Sequence, residues 1–205
     1  YNTYFLKEVK EILNIPDDFK LSKLIHVLAL QTSSTINYNE LSSITTLNNK
    51  DLLKNINTLE KTFICQKSQP FYTNKKTELI KIPKIFFYDN GFRNTVIKDF
   101  QSINNRPDKG ALYENFAATQ LIKKQIELKY WKTKSKAEVD FVIEKNGKII
   151  PIEIKSSLKK ATTTKSFQSF IEKYKPKKTI ILSEKLSTQK NNTQFRPIYY
   201  INQEI

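Results

Sequence analysis

An Asn146-Gly147 pair between two alternating stretches is the feature that most constrains how this chain can fold. In residues 138–145, and again in residues 148–155, apolar and polar side chains largely alternate, as they do in strands that bury one face. Asn-Gly between two such stretches is the strongest short-range signal of a β-hairpin with a two-residue type I′ turn. This turn fixes the register of the two strands, because the residues that flank it must face each other.

The register predicted by this turn brings two carboxylates together. With Lys145 facing Lys148, Asp140 faces Glu153 in a non-hydrogen-bonded pair, where the Cα atoms lie about 4.5 Å apart. Two carboxylates directly opposite each other repel. A hard cation such as Mg²⁺ relieves this repulsion, because it prefers carboxylate and carbonyl oxygens. Lys155 points to the same side as Glu153, where it could hold a water molecule or stabilise charge on a phosphate.

Two further residues bear on this interpretation. Glu138 faces Lys155 in the same register, and the alternative to a metal site is an exposed face whose ion pair contributes under ~1 kcal/mol. Glu114 lies on the apolar stripe of a helix predicted over residues 110–126. A carboxylate there is costly unless it is paired or bound to a metal. The alternative is a glutamate at the edge of the stripe that reaches water.

The second half of the chain predicts a mixed α/β domain with the order αβββαβ. The predicted elements are a helix over 110–126, strands over 128–133, 137–145 and 148–155, a helix over 163–174, and strands over 178–183 and 196–202.

The first half predicts a helical module of the winged-helix type. The expected elements are helices over 3–14, 20–32, 38–44 and from Asn48 or Asn49 to residue 61, extended pieces at 63–66 and 71–73, and a strand at 84–88. In a winged helix the third helix enters the major groove of DNA. Lys50, Lys54 and Asn55 on that helix are therefore the predicted DNA contacts. A module of the same shape that contacts only protein is the alternative.

The charge of the chain favours a polyanionic partner. The formal net charge is +15, and residues 111–205 carry 19 basic against 9 acidic side chains. Such an excess suits a nucleic-acid backbone, although lysine-rich surfaces can be merely solvated. The lysines of this half that we expect to contact nucleic acid are Lys132, Lys134, Lys136, Lys159 and Lys160.

Composition excludes several classes of protein. One cysteine and one histidine exclude an internal disulfide framework, a cysteine-rich zinc site and a multi-histidine metal site. No apolar run approaches the ~20 residues of a membrane span. We therefore expect a cytoplasmic protein without a membrane partner. Because the chain begins at Tyr1 and contains no methionine, we expect it to be a fragment of a longer protein.

These residues resemble those of known proteins. Asp140, the sequence Glu153-Ile154-Lys155 and the preceding Glu114 resemble the motif of the PD-(D/E)XK nuclease superfamily. More closely, several stretches resemble the C-terminal region of a bacterial and archaeal AAA+-type ATPase family, in which a winged helix and a nuclease-like domain follow the ATPase domain. These stretches are YFLKEVKEILNI (4–15), FFYDNGFRN (86–94), GALYENFAATQL (110–121), residues 130–157 and PIYYI (197–201).

The resemblance implies specific roles for the motif residues. Asp140, Glu153, the Ile154 carbonyl and Glu114 would hold Mg²⁺ or Mn²⁺, and Lys155 would act on the attacking water. Gln120 stands where we expect a second acidic residue on the helix. The chain has no G-x-x-x-x-G-K-[ST] sequence, so we expect no ATPase activity from it.

The resulting hypothesis divides the chain into four segments. Residues 1–19 form a joint to an upstream ATPase domain absent from this chain, 20–100 a winged-helix-like domain, 101–109 a linker and 110–205 a nuclease-like domain. The expected function is DNA binding with Mg²⁺-dependent endodeoxyribonuclease activity. A non-catalytic DNA-binding arm and a protein-interaction module that regulates the ATPase are the alternatives, and homo-oligomerisation stays open.

Overall fold

The computed structural model describes residues 18–72 and 82–205. The chain divides into two compact units. The described part of the first unit is 18–67 with 82–106, and that of the second is 68–72 with 107–205. The helix predicted over 3–14 lies outside the described residues.

The first unit is mainly helical. Its elements are helices α1 (Asp18–Leu30), α2 (Tyr38–Thr45) and α3 (Asn49–Lys61), strands β1 (Cys65–Pro70, of which residues 65–67 belong here) and β2 (Lys84–Phe87), and helix α4 (Asn90–Ile97). Asparagine and aspartate caps explain two of the helix starts, because their side chains accept hydrogen bonds from otherwise unpaired backbone N–H groups. Asn48 accepts from Asp51 N–H at 2.9 Å, and Asp89 accepts from Phe92 N–H at 2.6 Å.

The core of this unit is formed by the apolar faces of its helices against the two strands. Leu24, Leu28, Ile56 and Phe87 are fully or almost fully buried within it. Arg93 is also buried, and its Nε donates a hydrogen bond to the Ala29 carbonyl at 2.8 Å.

Two predictions for this unit can be compared with the structure. The three helices and the strand near residues 84–88 are confirmed. The extended piece predicted at 63–66 overlaps strand Cys65–Pro70, which begins two residues later and ends at the proline. Of the piece predicted at 71–73, residues 71 and 72 are not in a strand, and residue 73 lies outside the described residues. Proline cannot donate a ladder hydrogen bond, which is why it stands at a strand end.

The second unit is a mixed α/β structure. Its elements are α5 (Lys109–Lys123), β3 (Lys129–Lys132), β4 (Glu138–Val139), β5 (Phe141–Lys145), β6 (Lys148–Ile154), α6 (Lys165–Tyr174), β7 (Thr179–Ser183), β8 (Thr188–Lys190), β9 (Thr193–Pro197) and α7 (Ile201–Glu204). Five strands form one sheet in the order β5-β6-β7-β9-β8. Strands β6, β7 and β9 are parallel, and the outer pairs β5–β6 and β8–β9 are antiparallel.

Strands β3 and β4 belong to a second sheet. Strand β3 pairs with β4 in antiparallel fashion, and Gln69 and Pro70 of β1 lie parallel to Lys129 and Tyr130 of β3.

An aromatic cluster forms much of the core of the second unit. Trp131 is 3% exposed and meets Phe170 edge to face, with ring centroids 5.3 Å apart. Phe167 and Phe195 are buried in the same cluster. Trp131 is therefore a core residue.

The register predicted from the turn is confirmed between Lys145↔Lys148 and Phe141↔Ile152. The predicted pair of Asp140 with Glu153 is not part of this ladder, because Asp140 lies in a bend before β5 begins. Asn146 and Gly147 both have positive φ, at 51° and 69°, as a type I′ turn requires.

Two strand predictions of this unit are corrected by the structure. The strand predicted over 137–145 is broken at Asp140, so that Glu138 pairs with Lys132 of β3 instead of facing Lys155. The strand predicted over 196–202 is displaced: β9 ends at Pro197, and residues 198–204 form a 3₁₀ turn and helix α7. In the described residues no helix is both long and apolar enough to cross a membrane.

Candidate active site

The site is built around a break between two strands. Asp140 lies in a bend between β4 and β5, where the chain passes from one sheet to the other. One carboxylate oxygen of Asp140 accepts a hydrogen bond from the backbone N–H of Ile154 at 2.7 Å. This contact brings the aspartate to the carboxyl end of β6, which also carries Glu153.

Glu153 is a buried carboxylate with two side-chain partners. It is 3% exposed. Lys155 Nζ lies 2.6 Å from its Oε1, and the hydroxyl of Thr164 lies 3.0 Å and 3.1 Å from its two oxygens, positioned to donate to either. The prediction that Lys155 projects to the same side as Glu153 is therefore confirmed.

Burial raises the pKa of the Glu153 carboxyl above its ordinary value, and the negative charge of Asp140 raises that pKa further. Lys155 and Thr164 act in the opposite direction, because their contacts stabilise the charged form. The net direction is upward. The two carboxylates thus influence each other electrostatically, although they do not form a pair of the strand ladder.

The structure does not assemble the full set of acidic residues that the resemblance implies. Among the described residues, no group of three or more histidine, cysteine, aspartate or glutamate side chains is arranged to hold a metal ion. Glu114 lies on α5 and is half-buried, but it does not join Asp140 and Glu153 in such a group. Asp140 and Glu153 are the two carboxylates that the structure brings close to each other, beside the backbone of Ile154.

Thr164 is the part of this site that the sequence reasoning missed. It lies eleven positions beyond Glu153, after a loop, and is the N-cap of α6, where its Oγ1 accepts a hydrogen bond from Phe167 N–H at 3.2 Å. A threonine three residues before the apolar positions of a predicted helix is a recognisable cap signal. Its other contact, with Glu153, depends on tertiary folding, so no local sequence pattern predicts it.

The site lies at an edge of the five-stranded sheet where three parallel strands end. Ladder bonding continues to Lys155, whose N–H donates to the Leu182 carbonyl of β7 at 2.8 Å. Strand β9 ends beside β7, with Ser183 opposite Pro197. The carboxyl ends of parallel strands are the usual place for ligands in open α/β sheets.

The lysines predicted to contact nucleic acid are mostly at the surface. Lys50, Lys54, Lys134, Lys136, Lys159 and Lys160 are exposed. Lys132 is partly exposed and forms an ion pair with Glu138, at 2.8 Å. Asn55 is only 5% exposed, so its side chain lies in the core of the first unit and does not present a free hydrogen-bonding edge.

Two family models match the chain. Residues 1–103, half of the chain, match the model of a domain of unknown function, DUF8612. Residues 109–201 match that of another domain of unknown function, DUF4143.

Curated relatives occur in mycobacteria. An uncharacterized protein of Mycobacterium bovis and one of Mycobacterium tuberculosis are each 28% identical to this chain over 104 residues. The match covers 49% of this chain and 24% of each relative, so it spans about a quarter of those proteins. No solved structure matches the chain significantly.

Proposed function

This chain belongs to the DUF8612 family and carries a DUF4143 domain, and we propose that it binds DNA and cleaves it in a Mg²⁺-dependent reaction. The observation that carries the proposal is the cluster of Asp140, Glu153 and Lys155 at the carboxyl end of β6. A buried carboxylate with a raised pKa, close to a second carboxylate and to a lysine, is costly for stability. Such groups concentrate at functional sites.

The donor set at this cluster fits a hard divalent cation. Asp140 and Glu153 would supply carboxylate oxygens, and Ile154 would supply its backbone carbonyl. Mg²⁺ is usually held by one or two carboxylates and keeps several waters, so Glu114 need not be a ligand. When bound, the metal supplies a Lewis acid for the scissile phosphate.

We propose that Lys155 acts directly on the reacting groups. Its Nζ contacts Glu153 while its side chain remains 36% exposed, so the ammonium group can reach both the carboxylate and a substrate. We propose that it orients the attacking water and stabilises negative charge that develops on the phosphate. The Ile154 N–H and the Thr164 hydroxyl hold the two carboxylates in place.

Binding of DNA would depend on lysines outside the cluster. We propose that the first unit is a winged helix whose α3 offers Lys50 and Lys54 to the DNA, and that Lys134, Lys159 and Lys160 of the second unit contact the backbone. Contacts of this kind carry no sequence information. Because binding releases counterions from the DNA, the affinity for DNA falls as the salt concentration rises.

We further propose that the second unit has a PD-(D/E)XK-like fold and that this chain acts as the C-terminal part of an AAA+-type ATPase. The order of motifs in the sequence supports this, since a joint, a helical module and a nuclease-like module follow each other as they do in that family. ATP hydrolysis would then belong to another part of the protein.

A cleavage assay with matched variants tests the proposal. The chain is incubated with single- and double-stranded DNA in Mg²⁺, Mn²⁺ or EDTA, and binding is measured in the same samples. The variants are Lys155→Ala and Asp140→Asn, and the control is Lys177→Ala, which removes the same charge from an exposed position.

Three outcomes separate the candidate functions. Metal-dependent cleavage that is lost in Lys155→Ala and Asp140→Asn but kept in Lys177→Ala supports the nuclease. Salt-dependent binding without cleavage would contradict it and would favour a non-catalytic DNA-binding arm. Absence of both binding and cleavage would leave a protein-interaction module as the better explanation.

A further inference from the structure

Two exposed tyrosines follow the last strand of the five-stranded sheet. Tyr199 is 65% exposed and Tyr200 37% exposed, and their ring centroids lie 4.8 Å apart with an interplanar angle of 38°. The large aromatic rings of the core, such as Trp131 and Phe170, are buried. Adjacent exposed rings are the arrangement on which nucleobases stack, since every base has a π-face.

The topology of the sheet places this pair at the same edge as the candidate active site. Tyr199 and Tyr200 lie in the 3₁₀ turn that leaves the carboxyl end of β9. Strand β9 is parallel to β7, and β7 is parallel to β6. Neighbouring strands lie about 4.8 Å apart, so the ends of β9 and β6 are separated by about 10 Å. That distance corresponds to about three stacked nucleotides, at about 3.4 Å each along one strand.

Basic side chains adjoin the pair. Lys124 Nζ donates a hydrogen bond to the carbonyl of Asn202, in the helix that begins directly after Tyr200. Lys123 and Lys124 are both exposed. Lys185 follows the end of the parallel strand β7, is 88% exposed and lies 3.8 Å from Glu184. An exposed cation next to exposed rings, as Lys124 is, suits a strand whose phosphates run past its stacked bases.

From these observations we propose that Tyr199 and Tyr200 form a stacking platform for unpaired nucleobases, and that the strand they hold leads to the cluster at Lys155. The inference rests on the nucleic-acid binding that we propose for this chain, and it adds the substrate class: a single-stranded segment or a frayed end, not an intact duplex. In a duplex the bases are already stacked and paired, so two surface rings have no free π-face to meet.

Fluorescence anisotropy of the full chain with labelled oligonucleotides tests the platform. The probes are a 20-nucleotide oligo-dT, an abasic deoxyribose-phosphate strand of the same length, a 20-base-pair duplex and the corresponding oligo-U. Variants are Tyr199→Ala and, as the conservative control, Tyr199→Phe. Circular dichroism verifies that each variant is folded.

We expect Tyr199→Ala to weaken oligo-dT binding about 10-fold, because one stacked base is lost. Affinity for the abasic strand and the duplex stays within twofold, and Tyr199→Phe binds as the wild type does. Equal oligo-dT affinity of wild type and Tyr199→Ala would overturn the inference. An equal loss on the abasic strand would also overturn it, since that result would indicate an effect on charge or folding. A matching loss on oligo-U extends the platform to RNA, whereas no loss on oligo-U restricts it to DNA.

These measurements, taken together with the cleavage assay of the Asp140 variant, distinguish failure of this inference from failure of the nuclease proposal. Binding that depends on Tyr199, without metal-dependent cleavage, would refute the nuclease and retain the platform. Cleavage that depends on Asp140, with binding independent of Tyr199, would refute the platform alone. If neither the wild type nor any variant binds any strand, both the platform and the proposed DNA binding are refuted.

Discussion

Thr164→Val is the substitution that most sharply tests how the site is built. One hydroxyl has two roles in the structure. It accepts a hydrogen bond from Phe167 N–H as the N-cap of α6, and it donates to the carboxylate of Glu153. Valine has nearly the same shape but can do neither, so both contacts are lost while the packing is kept.

The expected cost follows from these two contacts. Loss of an N-cap costs about 1 kcal/mol, and loss of a hydrogen bond to a charged group costs about 2 kcal/mol. We therefore expect the free energy of unfolding of the second unit to fall by about 3 kcal/mol at pH 7. The second contribution depends on the charge of Glu153. It should disappear as the pH falls through the raised pKa of that carboxyl, leaving the loss near 1 kcal/mol.

Urea denaturation followed by tryptophan fluorescence measures this cost. Trp131 is the single tryptophan of the chain, and its ring meets Phe170 of α6, so its signal reports the second unit. Thr164→Ser keeps the hydroxyl and should stay within about 1 kcal/mol of the wild type. Thr162→Val is the matched control at an exposed position, with an expected change within about 0.5 kcal/mol. A loss for Thr164→Val that is independent of pH between 7 and 4 would refute the proposed contact with charged Glu153.

Three further predictions follow from the structure. Glu153→Gln should raise the free energy of unfolding by about 1 kcal/mol at pH 7, because a folded-state pKa above the unfolded value makes the charged form costly. That gain should vanish at low pH, where both states are protonated, and a stability loss at pH 7 in urea titrations would contradict it. Gly147→Ala should cost about 1 kcal/mol, since φ is +69° there, whereas Asn146→Gly at the same turn should be nearly neutral; equal losses in thermal melts would contradict the type I′ assignment. Cys65 is buried and burial raises its pKa, so a thiol reagent should label it only on unfolding, and rapid labelling of the native chain would contradict this.

The sequence predicts the hairpin well because its turn residues dictate the geometry. Asn146 and Gly147 accept positive φ at low cost, and once they do, every pair in the ladder follows. The alternation of apolar residues then brings Asp140 and Glu153 to the same end of the strands. Helices with asparagine and aspartate caps, such as the one that begins after Asn48, are predictable for the same reason: a local chemical signal decides them.

The parts that sequence reasoning could not supply depend on long-range pairing. The alternating pattern continues through Asp140, but Glu138 pairs with Lys132 of β3 and therefore does not face Lys155. Residues 198–201 are isoleucines and tyrosines, which favour strands. They nevertheless lie in the 3₁₀ turn and helix that follow the end of β9 at Pro197. Asn55 has a side chain suited to DNA, but it lies on the face of its helix that enters the core.

The central claim is that Asp140 and Glu153 together hold a divalent cation, and titration of the chain with Mn²⁺ tests it most directly. Free Mn²⁺ is followed by electron paramagnetic resonance in the wild type, Asp140→Asn, Glu153→Gln and the control Lys177→Ala. We predict that the wild type and Lys177→Ala bind Mn²⁺ with the same affinity, and that each carboxylate variant binds it at least 10-fold more weakly. Unchanged Mn²⁺ affinity in both carboxylate variants would contradict the account.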